Sequence, residues 1–400
     1  MLKHLLLPIG VLILISTLYC NQSSMTNGES TTDQSIPRIT SSYFALVNGT
    51  IINGTGADPI INGVVIIKDQ KIVDVGVISQ ITIPSDAVIV DVGGASILPG
   101  FINAHVHFAY DLVKLKTWAQ KGVTTVRDEA IVSSRPLSEF ITIRNSARSN
   151  PRLARLISAG FMITAPNGYG RLYVTSPEDA RQKVLDEISQ GVDLIKFSQE
   201  DGYAGQSGIP KLFIDEMNSI IRTAHELGKL VSAHITQSRY WEMVVNAGVD
   251  DVAHIAYDPV PQSVIDRMVM NNIYLVPTFT VFRNYNAPVN ICVENLRRFV
   301  QAGGKVALGN DYGGGPGDFE DGIPMYEIER MAEAGMTPMQ IIVASTRNAA
   351  HVSHIDNEVG TLEVGKIADL LIVGGNPLQN LNALTHIKLV IHNGVDIRTE

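Results

Sequence analysis

Six side chains of metal-ligating types are spread over roughly two hundred residues, and each lies at the end of a short apolar run. They are His105, His107, Lys196, His234, His254 and Asp311. Imidazole, ammonium and carboxylate groups are rarely buried without partners, because removing them from water is costly. Such groups at the ends of successive apolar runs need a shared partner, and a divalent metal ion is the simplest candidate.

The first two histidines have the spacing of a chelating pair. His105 and His107 end the apolar run that follows Pro99 and Gly100. Side chains two residues apart on a strand point to the same face, so both imidazoles can approach one ion. Because a lone His-x-His also occurs by chance, the alternative is a pair of hydrogen-bonded core histidines.

The other four residues also have ordinary interpretations when each is taken alone. Lys196 could form a buried salt bridge, for instance with Asp311. His234 and His254 could be hydrogen-bonded core histidines, and Asp311 could cap a helix or a turn. All six nevertheless fall near the carboxyl ends of predicted strands, where barrel enzymes have their active sites. One shared site explains this pattern better than six coincidences.

The middle of the chain alternates predicted strands with predicted helices, which indicates an α/β fold. The expected strands are 101–107, 122–128, 155–161, 193–198, 230–235, 251–255, 273–279 and 305–311. Ser176 followed by Pro177 predicts a helix start, and Gly228 predicts the end of a helix over about 212–227. Eight such units over roughly 250 residues match a (β/α)₈ TIM barrel.

Strand and turn patterns occupy both ends of the chain outside the tether. Two apolar runs around the turn Asp69-Gln70 predict a hairpin, and the turn Asn393-Gly394 follows a run at the other end. We therefore predict a small β-sandwich domain built from 43–96 and 356–400, beside a barrel of 97–355.

The first residues differ in composition from the rest of the chain. Residues 1–20 combine a basic start with a short apolar segment, which predicts a secretory signal or an anchor. Residues 21–42 are rich in Ser, Thr, Asn and Gln, as in a flexible tether. Lipidation of Cys20, plain cleavage and an uncleaved anchor all remain open, and export to an extracytoplasmic location is expected.

Bulk composition excludes several classes of function. A hydrophobic fraction of 45% with 18% charged residues is typical of a globular protein. The net charge of -9 and the lack of basic runs argue against a nucleic-acid partner. The chain has 2 cysteines, Cys20 and Cys292, so we expect no disulfide framework.

These motifs together resemble the metal-dependent amidohydrolase superfamily, in its imidazolonepropionase-like and prolidase-like branch. The likeness covers about 44–396 and rests on LPGFINAHVH (98–107), GVTTVRD (122–128), the four later ligand candidates, TRNAA (346–350) and GTLEVGKIADL (360–370). The resemblance implies that His105, His107 and Asp311 bind one metal ion and that His234 and His254 bind a second. It further implies that Lys196 is carboxylated and bridges two divalent ions, with zinc as the expected metal.

The resemblance also implies a chemistry, in which Asp311 moves a proton from the attacking water to the leaving nitrogen of an amide. Deaminase-like relatives have an acid shortly after the strand-five histidine and usually lack the strand-four lysine. Here no acid follows His234 closely, whereas Lys196 is present. Both departures favour amide or peptide hydrolysis, with N-acyl amino acids or Xaa-Pro-like dipeptides as substrates.

Other residues and other functions stay open at this point. Tyr169, Arg171 and Tyr203 lie in glycine-rich loops and are substrate-binding candidates, while Arg127 and Asp128 favour a structural salt bridge under the site. A lactonase or phosphotriesterase could use the same binuclear site. A non-catalytic, anchored metal- or solute-binding protein is the third alternative.

Overall fold

The computed structural model describes residues 36–202, 207–283, 287–313 and 322–398. The predicted signal segment with Cys20, most of the predicted tether and the substrate candidate Tyr203 lie outside these ranges. Among the helices of the described ranges, none has the length and apolar character needed to cross a membrane.

The strands and helices of the described residues alternate through the middle of the chain. The strands are β1 (Tyr43–Ile51), β2 (Ile60–Lys68), β3 (Lys71–Val77), β4 (Val88–Asp91), β5 (Ser96–Pro99), β6 (Phe101–Val106), β7 (Val123–Asp128), β8 (Arg155–Ser158), β9 (Ile163–Thr164), β10 (Leu172–Tyr173), β11 (Ile195–Ser198), β12 (Val231–His234), β13 (Asp251–Ala253), β14 (Tyr274–Leu275), β15 (Leu370–Val373), β16 (Ile387–His392) and β17 (Val395–Asp396). The α-helices are α1 (Leu112–Gln120), α2 (Leu137–Arg148), α3 (Pro177–Ser189), α4 (Ile214–Glu226), α5 (Ser238–Ala247), α6 (Gln262–Met270), α7 (Phe279–Phe282), α8 (Val289–Gln301), α9 (Met325–Glu333), α10 (Pro338–Val343) and α11 (Ala349–Val352).

One mixed sheet joins strands from both ends of the chain. Its order is β17-β16-β15-β5-β1-β2-β3, with β4 also paired to β1. The predicted hairpin forms between β2 and β3, with Lys68 opposite Lys71. Leu370 and Leu389 from the C-terminal strands share an apolar cluster with Phe44 and Leu46. The strand pairing gives one eight-stranded sheet, and the β-sandwich stays a prediction. The domain boundaries stay predictions.

Parallel strands carry the candidate site. One sheet has the order β6-β7-β8 and another has β10-β9-β11-β12-β13-β14. The segment 305–312 lies between them, since Ala307 N donates to Leu275 O of β14 (2.9 Å) and Ala104 N of β6 donates to Leu308 O (2.7 Å). The neighbouring strands of both sheets pair in parallel, which fits the predicted barrel.

The eighth predicted strand, 305–311, is not a regular strand. It makes only isolated bridges at Val306 and Tyr312. The backbone of Asp311 has a φ of 53°, a left-handed conformation that interrupts an extended ladder. Gly309 also packs so closely on β6 that a Cβ there would lie 2.8 Å from the Cβ of His105. The segment therefore passes tightly against the strand that carries the first histidines.

Local signals at the helix ends agree with the sequence. The Ser176 side chain accepts a hydrogen bond from Asp179 N, and Pro177 begins α3, as predicted. Helix α4 ends at Glu226, and Gly228 follows with a φ of 67°, which glycine adopts readily. These helices pack their apolar faces against the parallel strands, in the largest apolar cluster of the described residues.

Candidate metal centre

Three imidazoles and one carboxylate meet at the carboxyl ends of the parallel strands. Asp311 Oδ1 lies 3.4 Å from His105 Nε2 and 3.1 Å from His107 Nε2. Asp311 Oδ2 lies 3.6 Å from His254 Nδ1. These residues come from β6 and the turn after it, from the turn after β13 and from segment 305–312, so tertiary structure alone brings them together.

Backbone hydrogen bonds fix the first three of these groups relative to one another. Asp311 N donates to His105 O (2.9 Å), and His107 N donates to Tyr312 O (2.8 Å). The His107 Nδ1 atom lies 3.1 Å from Ala130 O, which orients its Nε2 toward Asp311. His105, His107 and Asp311 each offer a ligand atom within 4.8 Å of the others, which is close enough for the three to hold one metal ion.

His234 and His254 form the adjoining half of the centre. The Nε2 atom of His254 lies 2.9 Å from Nδ1 of His234, and its Nδ1 lies 2.5 Å from the Thr278 hydroxyl oxygen. The ring of Tyr169 stacks on His234 with a centroid separation of 4.5 Å. All four predicted histidines therefore lie in one cluster, and one predicted substrate-binding residue contacts it.

Two buried nitrogens of this cluster lack hydrogen-bond partners. They are His105 Nδ1 and His234 Nε2. Unpaired buried polar atoms are costly, so an additional partner at this place would stabilise the fold. Imidazole nitrogens and a carboxylate are the donors that zinc and similar divalent ions prefer. The residues present therefore fit a metal ion.

Lys196 lies beneath the cluster, but its partner differs from the one considered from the sequence. Its Nζ contacts Glu129 Oε2 at 2.6 Å and Ser232 Oγ at 3.2 Å, and Asp311 is not among its ion-pair partners. Glu129 is fully buried. A buried ammonium takes the nearest carboxylate of matching geometry, and the turn after β7 supplies one.

Arg127 connects this pair to a second buried carboxylate. Its guanidinium lies 2.7 Å from Glu129 Oε1 and makes two hydrogen bonds to Asp251, at 2.9 and 3.1 Å. Ser232 Oγ donates to Asp251 at 2.8 Å. We call Arg127, Glu129, Lys196 and Asp251 the buried charge network; its two cations and two anions balance. Arg127 thus has the structural role expected of it.

Asp128 lies apart from this network. Its carboxylate accepts a hydrogen bond from Ala109 N at 3.0 Å, which ties the loop after β6 to the end of β7. Burial raises the pKa of Asp128 to about 7. Of the two residues expected to form a structural salt bridge, Arg127 does so with Glu129 and Asp251, whereas Asp128 accepts a hydrogen bond from the backbone.

Burial keeps three of the imidazoles neutral. It lowers the pKa of His254 to about 4. Burial, reinforced by the Lys196 cation and by His254, holds the pKa of His105 well below its ordinary value. The pKa of His234 is lowered by burial and by His254. A neutral imidazole presents a lone pair, which is the form that binds a metal.

His107 and Asp311 form a charged pair instead. Burial alone would lower the pKa of His107, but the hydrogen bond to Asp311 and its charge raise this pKa to about 9. Burial alone would raise the pKa of Asp311, but His254 and His107 hold it well below its ordinary range. An incoming metal ion would replace the proton that this pair shares.

Two acidic residues of the site were missed from the sequence. Glu129 contacts Lys196, and Glu200 accepts hydrogen bonds from Thr236 N (3.0 Å) and Gly202 N (3.0 Å) next to His234. The run Arg127-Asp128-Glu129 at the end of an apolar strand was a signal for the first. Glu200 follows β11 by two residues, where nothing in the sequence separates it from an ordinary loop acid.

A cavity of about 1180 Å³ opens above the cluster and includes Lys196 in its wall. Tyr169 and Arg171, two of the predicted substrate-binding residues, line this cavity. Tyr203 lies outside the described residues. Wide, concave, partly apolar cavities with convergent polar groups are the usual binding sites of small molecules.

The fold, the cluster and the cavity together define a hydrolase of one family. A model of the amidohydrolase family matches residues 96–396, so the chain belongs to the amidohydrolase family. The predicted resemblance and the predicted enzyme class are thereby confirmed. Family members bind divalent metals, in agreement with the His105, His107 and Asp311 cluster.

Individual relatives are similar at moderate identity. The imidazolonepropionase of Fusobacterium nucleatum is 24% identical over 364 residues, 78% of this chain and 84% of that protein. The ochratoxinase of Aspergillus niger is 26% identical over 236 residues, 54% of this chain and 48% of that enzyme. A solved structure of a Xaa-Pro dipeptidase with bound methionine has a TM-score of 0.77 at 22% identity, covering 90% of this chain and 100% of that one. This last likeness shows the shared fold.

Replacing Arg127 with Gln should destabilise the protein strongly, because Asp251 would lose its paired cation and Glu129 would keep only Lys196. We expect a loss of about 3 kcal/mol in the free energy of unfolding, measured by urea denaturation. Arg135→Gln is the matched control, since Arg135 pairs with Glu139 at the surface. That control should cost less than about 1 kcal/mol. Equal losses in the two variants would contradict the role of the network.

His254 should make metal-free stability depend on pH in a defined direction. Its pKa in the folded protein is about 4, below the unfolded value of about 6.5, so the unfolded chain binds more protons between these pH values. The stabilisation is present above pH 6.5 and is lost as the pH falls toward 4. As the pH falls from 6.5 to 4, the free energy of unfolding of the His254→Asn variant should decrease by about 3 kcal/mol less than that of the parent.

Urea unfolding with a chelator present, at steps of pH between 7 and 4, measures this difference. His386→Asn changes an exposed histidine outside the cluster and should follow the parent profile. If the His254→Asn profile ran parallel to that of the parent, His254 would not be held neutral by burial.

Proposed function

We propose that the protein hydrolyses amide C–N bonds of small substrates, either N-acyl amino acids or Xaa-Pro-like dipeptides, at a centre of two divalent ions, with zinc as the expected metal. The observation that carries this proposal is the convergence of His105, His107, His234, His254 and Asp311 below one large cavity. A closed (β/α)₈ barrel is part of the proposal, and it is supported by the hydrogen bonds of segment 305–312 to β14 and β6.

Each member of the cluster has a role in this proposal. His105, His107 and Asp311 would hold one ion, and His234 with His254 would hold the other. Metal ions at this place supply a Lewis acid and an acidified water near neutral pH. Because its pKa is held low, Asp311 is ionised and able to accept a proton from the attacking water. It would then deliver that proton to the leaving nitrogen.

Lys196 is the proposed bridging ligand after carboxylation by carbon dioxide. The reaction would turn a buried cation into an anionic ligand, which suits a metal centre better than an ammonium does. Glu129 and Ser232 hold the amine nitrogen at a set position beneath the cluster, at 2.6 and 3.2 Å. A carbamate keeps one N–H, so it can still donate to one of these two oxygens.

On the substrate side, the proposal assigns recognition of a carboxylate to Arg171. Its side chain lines the cavity, and guanidinium groups bind carboxylates with good geometry. The aromatic ring of Tyr169 stacks on His234 and would contact the substrate near the scissile bond.

Asp311→Asn should abolish the proton transfer while leaving the fold intact. We expect turnover of an N-acyl amino acid to fall at least about 100-fold, the usual effect of losing a general acid–base group. Asp356→Asn is the matched control, because Asp356 pairs with His351 outside the cavity. The control should keep the parental kcat/KM.

Replacement of His105 and His107 with Ala should abolish metal binding and activity. Bound metal is measured by mass spectrometry of the purified protein. Full activity in that double variant would end the proposal. Turnover of N-acyl amino acids and dipeptides, compared with turnover of lactones and phosphotriesters, identifies the type of bond that the protein cleaves. Preference for lactones or phosphotriesters would transfer the function to the alternative reaction on the same centre.

A further inference from the structure

The wall of the cavity is divided into an apolar half and a polar half. The apolar half comes from the loops after β6, β7 and β14 and contains Phe108, Ile131, Val132, Val281, Phe282 and Pro288. The polar half follows β9, β11 and β12 and contains Arg171, Asp201, Gln237 and Arg239, together with Tyr169 and with Met162 just before β9. Outside the metal-ligand cluster and Lys196, the charged side chains of the described wall therefore all belong to the polar half.

Each half is contiguous in space. Segment 305–312 hydrogen-bonds to both β14 and β6, so the loops after β14, β6 and β7 are neighbours around the ring of strands. On the other side, Asp193 N before β11 donates to Ser158 O of β8 (2.8 Å), and β11 pairs with β12. The metal-ligand cluster lies between the two halves, since His105 and His107 belong to β6 and its turn while His234 belongs to β12.

The apolar half presents hydrophobic side chains to the cavity at a conformational cost. Phe108 is 43% exposed and Val132 is 49% exposed. The backbone of Phe108 has a φ of 56°, a conformation that bulky residues rarely adopt. Strained backbone and exposed apolar surface occurring together at a cavity indicate contact with a ligand.

The polar half offers one uncommitted cation. Arg239 is engaged by Asp201 at 2.7 Å, and Asp201 also accepts a hydrogen bond from Tyr240 Oη at 2.6 Å. The guanidinium of Arg171 has no hydrogen-bond or ion-pair partner within 36–202, 207–283, 287–313 and 322–398. A carboxylate entering this half would therefore meet Arg171 first.

Within 36–202, 207–283, 287–313 and 322–398, the apolar half offers no acid to a substrate ammonium group. Among the described residues that line the cavity, the carboxylates are those of Asp201 and Asp311. Asp201 lies in the polar half and is paired with Arg239, while Asp311 lies in the histidine cluster. The free α-ammonium of a dipeptide would therefore be placed against apolar side chains, where desolvation of a charge is unfavourable.

We infer that the substrates are N-acyl amino acids with a bulky apolar acyl group, rather than free dipeptides. This inference rests on the proposed amide hydrolysis and decides between its two substrate classes. The amino-acid carboxylate faces Arg171, and the acyl group packs on Phe108 and Val132. Water adds to the amide carbon and the C–N bond breaks. The products are an apolar carboxylate and a free amino acid, whose nitrogen receives the protons from water.

A pair of nearly isosteric substrates tests this inference directly. N-(4-methylpentanoyl)-L-alanine is L-leucyl-L-alanine without the ammonium group. We expect the full chain, supplied with zinc, to have a kcat/KM for the acyl compound at least about tenfold higher than for the dipeptide. About tenfold is the lower end of the effects that one misplaced group produces. The kcat/KM for the same compound should exceed that for N-acetyl-L-alanine by a similar factor, because its acyl group buries four additional carbons. Phenylalanine and proline versions of each substrate cover the leaving amino acid.

Two cavity variants locate the determinants. Phe108→Ala should reduce the preference for 4-methylpentanoyl over acetyl about tenfold, while Phe108→Leu should retain most of it. Arg171→Met should raise KM about tenfold for the acids but leave the C-terminal amides unchanged. Phe213→Ala is the matched control, since Phe213 is 76% exposed and is absent from the cavity wall. The Phe213→Ala variant should show the same acyl preference and the same KM values as the parent.

The outcomes separate this inference from the function on which it rests. Equal or better turnover of L-leucyl-L-alanine would overturn the inference and leave amide hydrolysis standing. A Phe108→Ala variant with unchanged acyl preference would overturn the assignment of the apolar half. No hydrolysis of any amide in the panel, with metal bound, would contradict the proposed function and the inference together.

Discussion

The contacts of Asp311 with three imidazoles are the interaction on which the rest of the site depends. One carboxylate lies within 3.6 Å of His105, His107 and His254. Such an arrangement brings four ionisable groups into a region with little water, where each group affects the charge of the others. The structure resolves this by keeping most of the imidazoles neutral and pairing His107 with Asp311. A cluster of this kind is ready to exchange one proton for a metal ion.

The buried charge network below the cluster supports it from between the parallel strands. Arg127 connects the carboxylates of Glu129 and Asp251, and Lys196 supplies a second positive charge beside Glu129. Arg127 also donates to the carbonyl of Ala104, directly before His105 (2.6 Å). Strand β6, which leads to the histidine pair, is thereby held to β7, the strand that carries Arg127. Stability and site geometry are consequently linked, because loss of one charge would disturb both.

Chemistry and selectivity come from different layers of the same site. In the proposed function the strand ends supply the metal ligands and the proton carrier, whereas the loops that follow them supply the cavity wall. Rigid strands hold the reacting groups in place, and loops of the same fold can differ between relatives of different substrate preference. Amidohydrolase family membership therefore indicates a hydrolytic centre, while Phe108 and Arg171 are the residues that we propose to set the choice of substrate in this particular chain.

The sequence by itself was sufficient for the family, for the parallel strands and for which residues would form the cluster. The reason is that these signals are local: apolar runs ending in His105 or His234, Ser176 before Pro177, and the charged end of β7. The partner of Lys196 and the sorting of the cavity wall were decided only by tertiary structure. Glu129 is 67 residues from Lys196 in the chain. Contacts over such distances depend on how strands are ordered in the sheet, which no local pattern encodes.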